Sequence, residues 1–243
     1  MKEGKHNLKQ RREAYLVRQA DRARAQGAPA DYRPLYTLGE ELFNAITHGL
    51  GALLGVAALV LLIIRAVPAG PAAVSGVSIF GATLILLYTM SSLYHSLTPY
   101  RAKKVFQVID HCSIFFLIAG TYTPFCLVGL KGSLGLWILV LEWGVAALGI
   151  ALNAVSIHRF RIFSMIAYLA MGWAIIFTYG ALKANLPPQC ISYLIYGGVA
   201  YTVGVLFYGM KKFLPKWRYM HSIWHLFVLA GSALHVVSLW FML

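Results

Sequence analysis

Residues 42–64, LFNAITHGLGALLGVAALVLLII, decide what kind of protein this is. The stretch holds no charged side chain. At 1.5 Å per helical residue it is long enough to cross the ~30 Å hydrocarbon core of a bilayer. It nevertheless carries Asn44 and His48 near its start. Polar groups are costly at that depth and normally turn into a helix bundle rather than toward lipid.

Working outward, six further apolar runs of similar length follow, at 72–97, 105–130, 134–157, 162–182, 191–210 and 219–241. Short polar separators such as HRFR at 158–161 divide them. Transmembrane strands would be about 10 residues long and alternating, so a helical reading is preferred. The expected fold is all-α, a polytopic membrane protein with a seven-transmembrane-helix bundle over 41–243. Composition agrees: 59% of residues are hydrophobic, 12% are charged and mean hydropathy is +0.68. A soluble domain would carry about 25% charged residues.

Residues 1–40 differ in kind, being polar and strongly basic. No apolar signal-peptide core precedes the first run, so that run is expected to act as an uncleaved anchor. Of the 21 Lys and Arg residues, all but Arg65, Lys131 and Lys183 fall on the side of the tail if there are seven spans. The positive-inside rule then places the N-terminus in the cytoplasm and the C-terminus outside, in the plasma membrane. The net charge of +13 needs no nucleic acid to explain it; anionic lipid is the simpler partner for a basic tail.

With that topology the polar residues of four spans meet at the cytoplasmic leaflet. Glu41, Asn44 and His48 share a face of span one. Ser91 and His95 are four apart at the end of span two. Asp110 and His111 open span three, and His221 and His225 are four apart at the start of span seven. Three neutral imidazoles with one open position form the catalytic type of zinc site, and a nearby carboxylate can take a proton from water. Taken singly, a His-x-x-x-His pair at a helix end is more often structural or a headgroup contact. His111 points about 100° from Asp110, and His235 lies deeper; both read as packed histidines. Glu142 lies inside span four with no evident partner, and Pro124 predicts a kink in span three. Cys112 and Cys126 are about 21 Å apart on one helix, too far to bridge; a Cys126–Cys190 disulfide stays open.

Four motifs in series, ELFNAITHGLG (41–51), SSLYHS (91–96), DHCSIFFLIAGTYTPF (110–125) and HSIWHLF (221–227), carry a resemblance that covers about residues 36–243. The chain resembles the hemolysin III family, within the group that includes the progestin and adipoQ receptors and is related to alkaline ceramidases. The resemblance implies a seven-helix fold with a zinc site on the cytoplasmic side. The ligands would be His95, His221 and His225, with Asp110 and Ser91 beside the zinc-bound water. Glu41, Asn44 and His48 are left as supporting or gating residues. The expected function is zinc-dependent hydrolysis of an amide or ester bond in a membrane lipid. The alternatives are a non-enzymatic lipid-homeostasis factor, sensor or pore-forming cytolysin with a structural zinc, and more weakly a proton or ion carrier using Glu142, Asp110 and the histidines.

Overall fold

The computed structural model describes residues 2–130, 132–210 and 217–243. Lys131, Lys211, Lys212 and Lys216, which enter the charge count, lie outside the described residues. Every regular element among the described residues is helical: α1 (Lys2–Ala25), α2 (Leu38–Ala66), α3 (Pro71–Ser96), α4 (Tyr100–Pro124), α5 (Ser133–Trp173), α6 (Tyr179–Asn185), α7 (Pro188–Met210) and α8 (Met220–Met242). Six helical segments are long and apolar enough to cross a membrane. Their outward side chains are apolar, as hydrocarbon requires: Leu53, Leu54, Trp137, Val155 and Ile162 are all well over half exposed.

The fourth of these segments, Ser133–Asn185, runs 53 residues. Straight, it would be about 80 Å long, more than twice the bilayer core. It is not straight. Ser156 is extended (φ −166°, ψ 109°), and its Oγ accepts from the Arg159 amide at 3.3 Å. That is the geometry of an N-cap, so Ser156 ends one limb of α5 and starts the next. Trp143 of the first limb donates to Thr123 on α4. In the second limb, the Met171 carbonyl accepts from Tyr122, whereas Tyr168 donates to the His111 carbonyl. Asn153 meets both Ser164 and Tyr168, although residues 15 apart on a straight helix would be separated by about 22 Å. The limbs therefore run antiparallel along α4. The separator expected at 158–161 is itself helical; a single capped residue makes the reversal. The second limb continues through a 3-10 turn, Ala174–Thr178, into α6.

Pro124 has the effect expected of it. Its ring nitrogen cannot donate to the preceding turn, and the chain widens into a π turn at Phe125–Gly129, closed by the Leu130 amide donating to the Phe125 carbonyl. At this bend α4 comes close to α3. A Cβ on Gly76 would lie 2.8 Å from the Pro124 Cα, which is backbone and cannot swing aside. Gly76→Ala is expected to cost about 1–3 kcal/mol, the usual penalty of overpacking. A lowered midpoint in thermal unfolding of detergent-solubilised protein would show it; an unchanged midpoint would mean the helices are not locked there.

The main core joins α2, α3, α4, α7 and α8 through Leu62, Val77, Phe80, Leu84, Leu117, Leu194 and Val228. A smaller cluster around Phe115, Ala146 and Met171 seats both limbs of α5 on α4. Helix direction alternates, so the starts of α2, α4 and α8 lie at the same end as the end of α3. At the opposite end Arg65 of α2 donates to the Trp240 carbonyl of α8 at 3.3 Å. All three cysteines are free and buried, so the disulfide left open in the sequence is not formed.

The tail is not a detached segment. It forms α1, whose Ala20 and Ala23 are buried. The strap behind it is tied to α4, where Gln26 accepts from the Tyr100 amide at 2.6 Å and Tyr32 packs edge-on against Tyr100.

Candidate metal centre

The i, i+4 spacing of His221 and His225 puts both rings on one face of the first turns of α8, with their Nε2 atoms 3.1 Å apart. The end of α3 brings His95 across to them. One nitrogen from each of the three rings lies within 4.8 Å of the others, and all three residues are buried. Their rings pack closely, with centroids 4.6–5.4 Å apart.

Glu41 fixes the tautomer of His95. One carboxylate oxygen accepts from His95 Nδ1 at 2.6 Å; the other pairs with Lys103 Nζ at 3.0 Å. With its proton held at Nδ1, His95 keeps a lone pair on Nε2, and that atom is buried without a hydrogen-bond partner. A carboxylate behind a histidine, orienting the ring and raising its basicity, is the usual support of a metal-ligating imidazole. A buried acceptor left empty otherwise costs about 1–3 kcal/mol. The donor set is therefore suited to a metal ion: the His95, His221 and His225 group could hold one.

The remaining expected residues surround this triad. His48 lies flat on His225, centroids 3.7 Å apart and 15° between planes. Asn44 is completely buried, and neither side-chain polar atom has a partner. Ser91, Asp110, His48, His221 and His225 line a single cavity of about 260 Å³. Below them its walls turn apolar, with Leu117, Ile118, Phe125, Leu169, Leu182 and Val228, and it extends as far as His235. His111 also lines this cavity, but its Nδ1 faces the Gln107 carbonyl at 2.8 Å and lies 3.5 Å from the Asp110 carboxylate, and it is not part of the triad. His235 bonds the Leu194 carbonyl. Glu142 is buried but is not among the cavity's lining residues.

Three contributors to the site escaped the sequence reading. Lys103, counted there as a cytoplasmic charge, neutralises Glu41 and also donates to the Tyr94 and Leu97 carbonyls, tying down the end of α3 that carries His95. Glu40 accepts from the Thr37 amide and hydroxyl with one oxygen and from the Tyr219 amide with the other. It thereby links the start of α2 to Tyr219, the non-glycine residue at φ 61° that immediately precedes α8. A left-handed residue of this kind costs roughly 1–2 kcal/mol and needs such a clamp. Thr37-x-x-Glu40 was legible as a capping box. Third, Tyr36 stacks on His221 (4.9 Å, 26°) and meets His95 edge-on (5.4 Å). Nothing in the periodicity of the chain marks it.

The chain is 46% identical to a hemolysin-3 homolog of Bacillus subtilis (strain 168) over 200 residues, 82% of this chain and 92% of that protein. It is 44% identical to hemolysin-3 of Bacillus cereus over 196 residues, covering 80% and 88%. A more distant relative is the monocyte to macrophage differentiation factor of Homo sapiens, 26% identical over 167 residues, 67% of this chain and 68% of that protein. No solved structure matches. The model of the haemolysin-III-related family matches residues 36–236, from the tyrosine over the triad to the last turns of α8, and the chain belongs to that family.

Proposed function

We propose that this protein is a zinc-dependent hydrolase that cleaves an amide or ester bond of a membrane lipid, at a site just inside the cytoplasmic face of the plasma membrane. One observation supports this above others. The buried triad sits at the head of an apolar cavity, and a carboxylate and a hydroxyl, Asp110 and Ser91, line the same space. Zinc favours three imidazoles with a fourth position open, and when bound it supplies Lewis acidity that polarises a carbonyl and acidifies water.

The chain's own residues do the rest. The apolar walls hold an acyl chain, so that the bond at its polar end meets the triad. Asp110 takes the proton of the attacking water. Ser91 donates a hydrogen bond to the carbonyl oxygen. Glu41 holds His95 in its ligating tautomer, with Lys103 as its counter-charge. A purely structural zinc would be closed by a fourth protein ligand; the two oxygen groups around an open triad favour catalysis. The test compares lipid extracts of membranes carrying the wild-type chain or His95→Ala. An amide or ester lipid should fall, and its free fatty acid rise, only with the wild type. Indistinguishable extracts would remove the hydrolase reading.

The same proposal takes the two limbs of α5 as separate spans, seven in all, with the N-terminus cytoplasmic, and takes anionic lipid as the partner of the basic tail. A topology reporter placed after Leu243 is then active only outside the cytoplasm, and one inserted between Ser96 and Tyr100 only inside. The reverse pattern would put the triad at the outer face.

A further inference from the structure

Tyr36 is the feature that the hydrolase reading leaves unused. It comes from the strap before α2 and is 8% exposed. Its ring covers two of the three candidate ligands, flat against His221 and edge-on to His95. The strap is fixed on both sides of it. Thr37 bonds Glu40 and accepts from Arg218 at 3.4 Å; earlier, the Tyr32 carbonyl accepts from Arg24 and the Tyr32 ring packs on Tyr100. Residues 24–31 of the same segment are mostly exposed and include Arg24, Gln26 and Asp31, so Tyr36 stands between the aqueous side and the triad. On the membrane side the cavity is lined by residues that reach the hydrocarbon, such as Ile176 at 59% exposed and Ile195 at 37%.

We infer that Tyr36 is a specificity-determining wall: it seals the metal centre from the cytoplasm, so the site is supplied from within the bilayer and admits lipid in preference to water-soluble esters or amides. This rests on the reading of the triad as a metal centre. It acts by packing, since an aromatic ring stacked on one imidazole and edge-on to another excludes water from the atoms beneath and must lift before a hydrophilic molecule passes.

The test uses zinc-loaded protein in lipid nanodiscs and measures the rate of zinc loss to EDTA, a hydrophilic anion that cannot enter through the apolar cavity. Tyr36→Ala should lose zinc about tenfold faster than wild type, the factor that about two lost aromatic contacts supply. Tyr36→Phe keeps the ring and should match wild type, and Tyr36→Leu should fall between. The apolar chelator 1,10-phenanthroline, arriving through the bilayer, should strip all four at similar rates. EDTA rates unchanged in Tyr36→Ala overturn the inference and leave the metal centre standing. So does equal acceleration with both chelators, which would mean that the substitution only loosens the ligands. If Tyr36→Ala does not fold, the EDTA rate of Tyr36→Leu decides. A wild-type protein that holds no zinc overturns the metal reading itself, and this inference with it.

Discussion

His95→Ala is expected to leave a folded protein that retains almost no metal. Of the three candidate ligands, His95 alone comes from α3; His221 and His225 share a helix and lie 3.1 Å apart. Two imidazoles on one face cannot surround an ion, and the buried Glu41 carboxylate loses the ring it orients. His221→Ala and His225→Ala should behave alike. Glu41→Gln separates ligation from support, because all three rings stay but the strong acceptor at Nδ1 is gone. Removing such a partner typically costs 10–100-fold in metal affinity. Zinc per chain, by elemental analysis of purified protein, should therefore be about one for wild type, near zero for the alanine variants, and dependent on free zinc for Glu41→Gln. Full zinc content in all three alanine variants would eliminate this ligand set.

The elements of this site that sequence could reveal are those set by helical spacing. Four-residue intervals put Ser91 with His95 and His221 with His225 on common faces, and the alternating direction of the spans put both pairs at one end. What spacing cannot convey is contact across the chain. Lys103 reaches Glu41 from the start of α4, and Arg218 reaches Thr37 from the segment before α8; in sequence both are loop charges. Tyr36 belongs to a tail whose helix, α1, is polar nearly all round and so has no period from which a buried face could be read. The reversal inside α5 was hidden for a related reason. HRFR is charged and resembles a loop, whereas the turn is made by one serine, Ser156, whose hydroxyl does the work of several loop residues.

Asp110→Asn is expected to give a folded, zinc-loaded protein that has lost turnover. Asp110 belongs to α4, supplies none of the three imidazoles, and lines the cavity with Ser91, His221 and His225. It is buried, with His111 Nδ1 3.5 Å from its carboxylate. The amide has the same shape and can still accept a hydrogen bond at one atom, so the packing of α4 and the geometry of the triad should survive. What it cannot do is take a proton. Removing a general base usually costs 10²- to 10⁴-fold in rate, and that loss should appear in lipid turnover at unchanged zinc content, both measured on one preparation. The alternative role makes the opposite demand. If Asp110 completed a closed structural site, the asparagine variant would shed metal or stability, and any loss of function would follow in proportion. Ser91→Ala supplies an internal comparison. It deletes a hydrogen bond to the carbonyl oxygen but leaves the base, so its loss should be smaller than that of Asp110→Asn, again with zinc retained. An Asp110→Asn protein with normal zinc and normal turnover would remove Asp110 from the chemistry, and would leave the open triad without the base that hydrolysis requires.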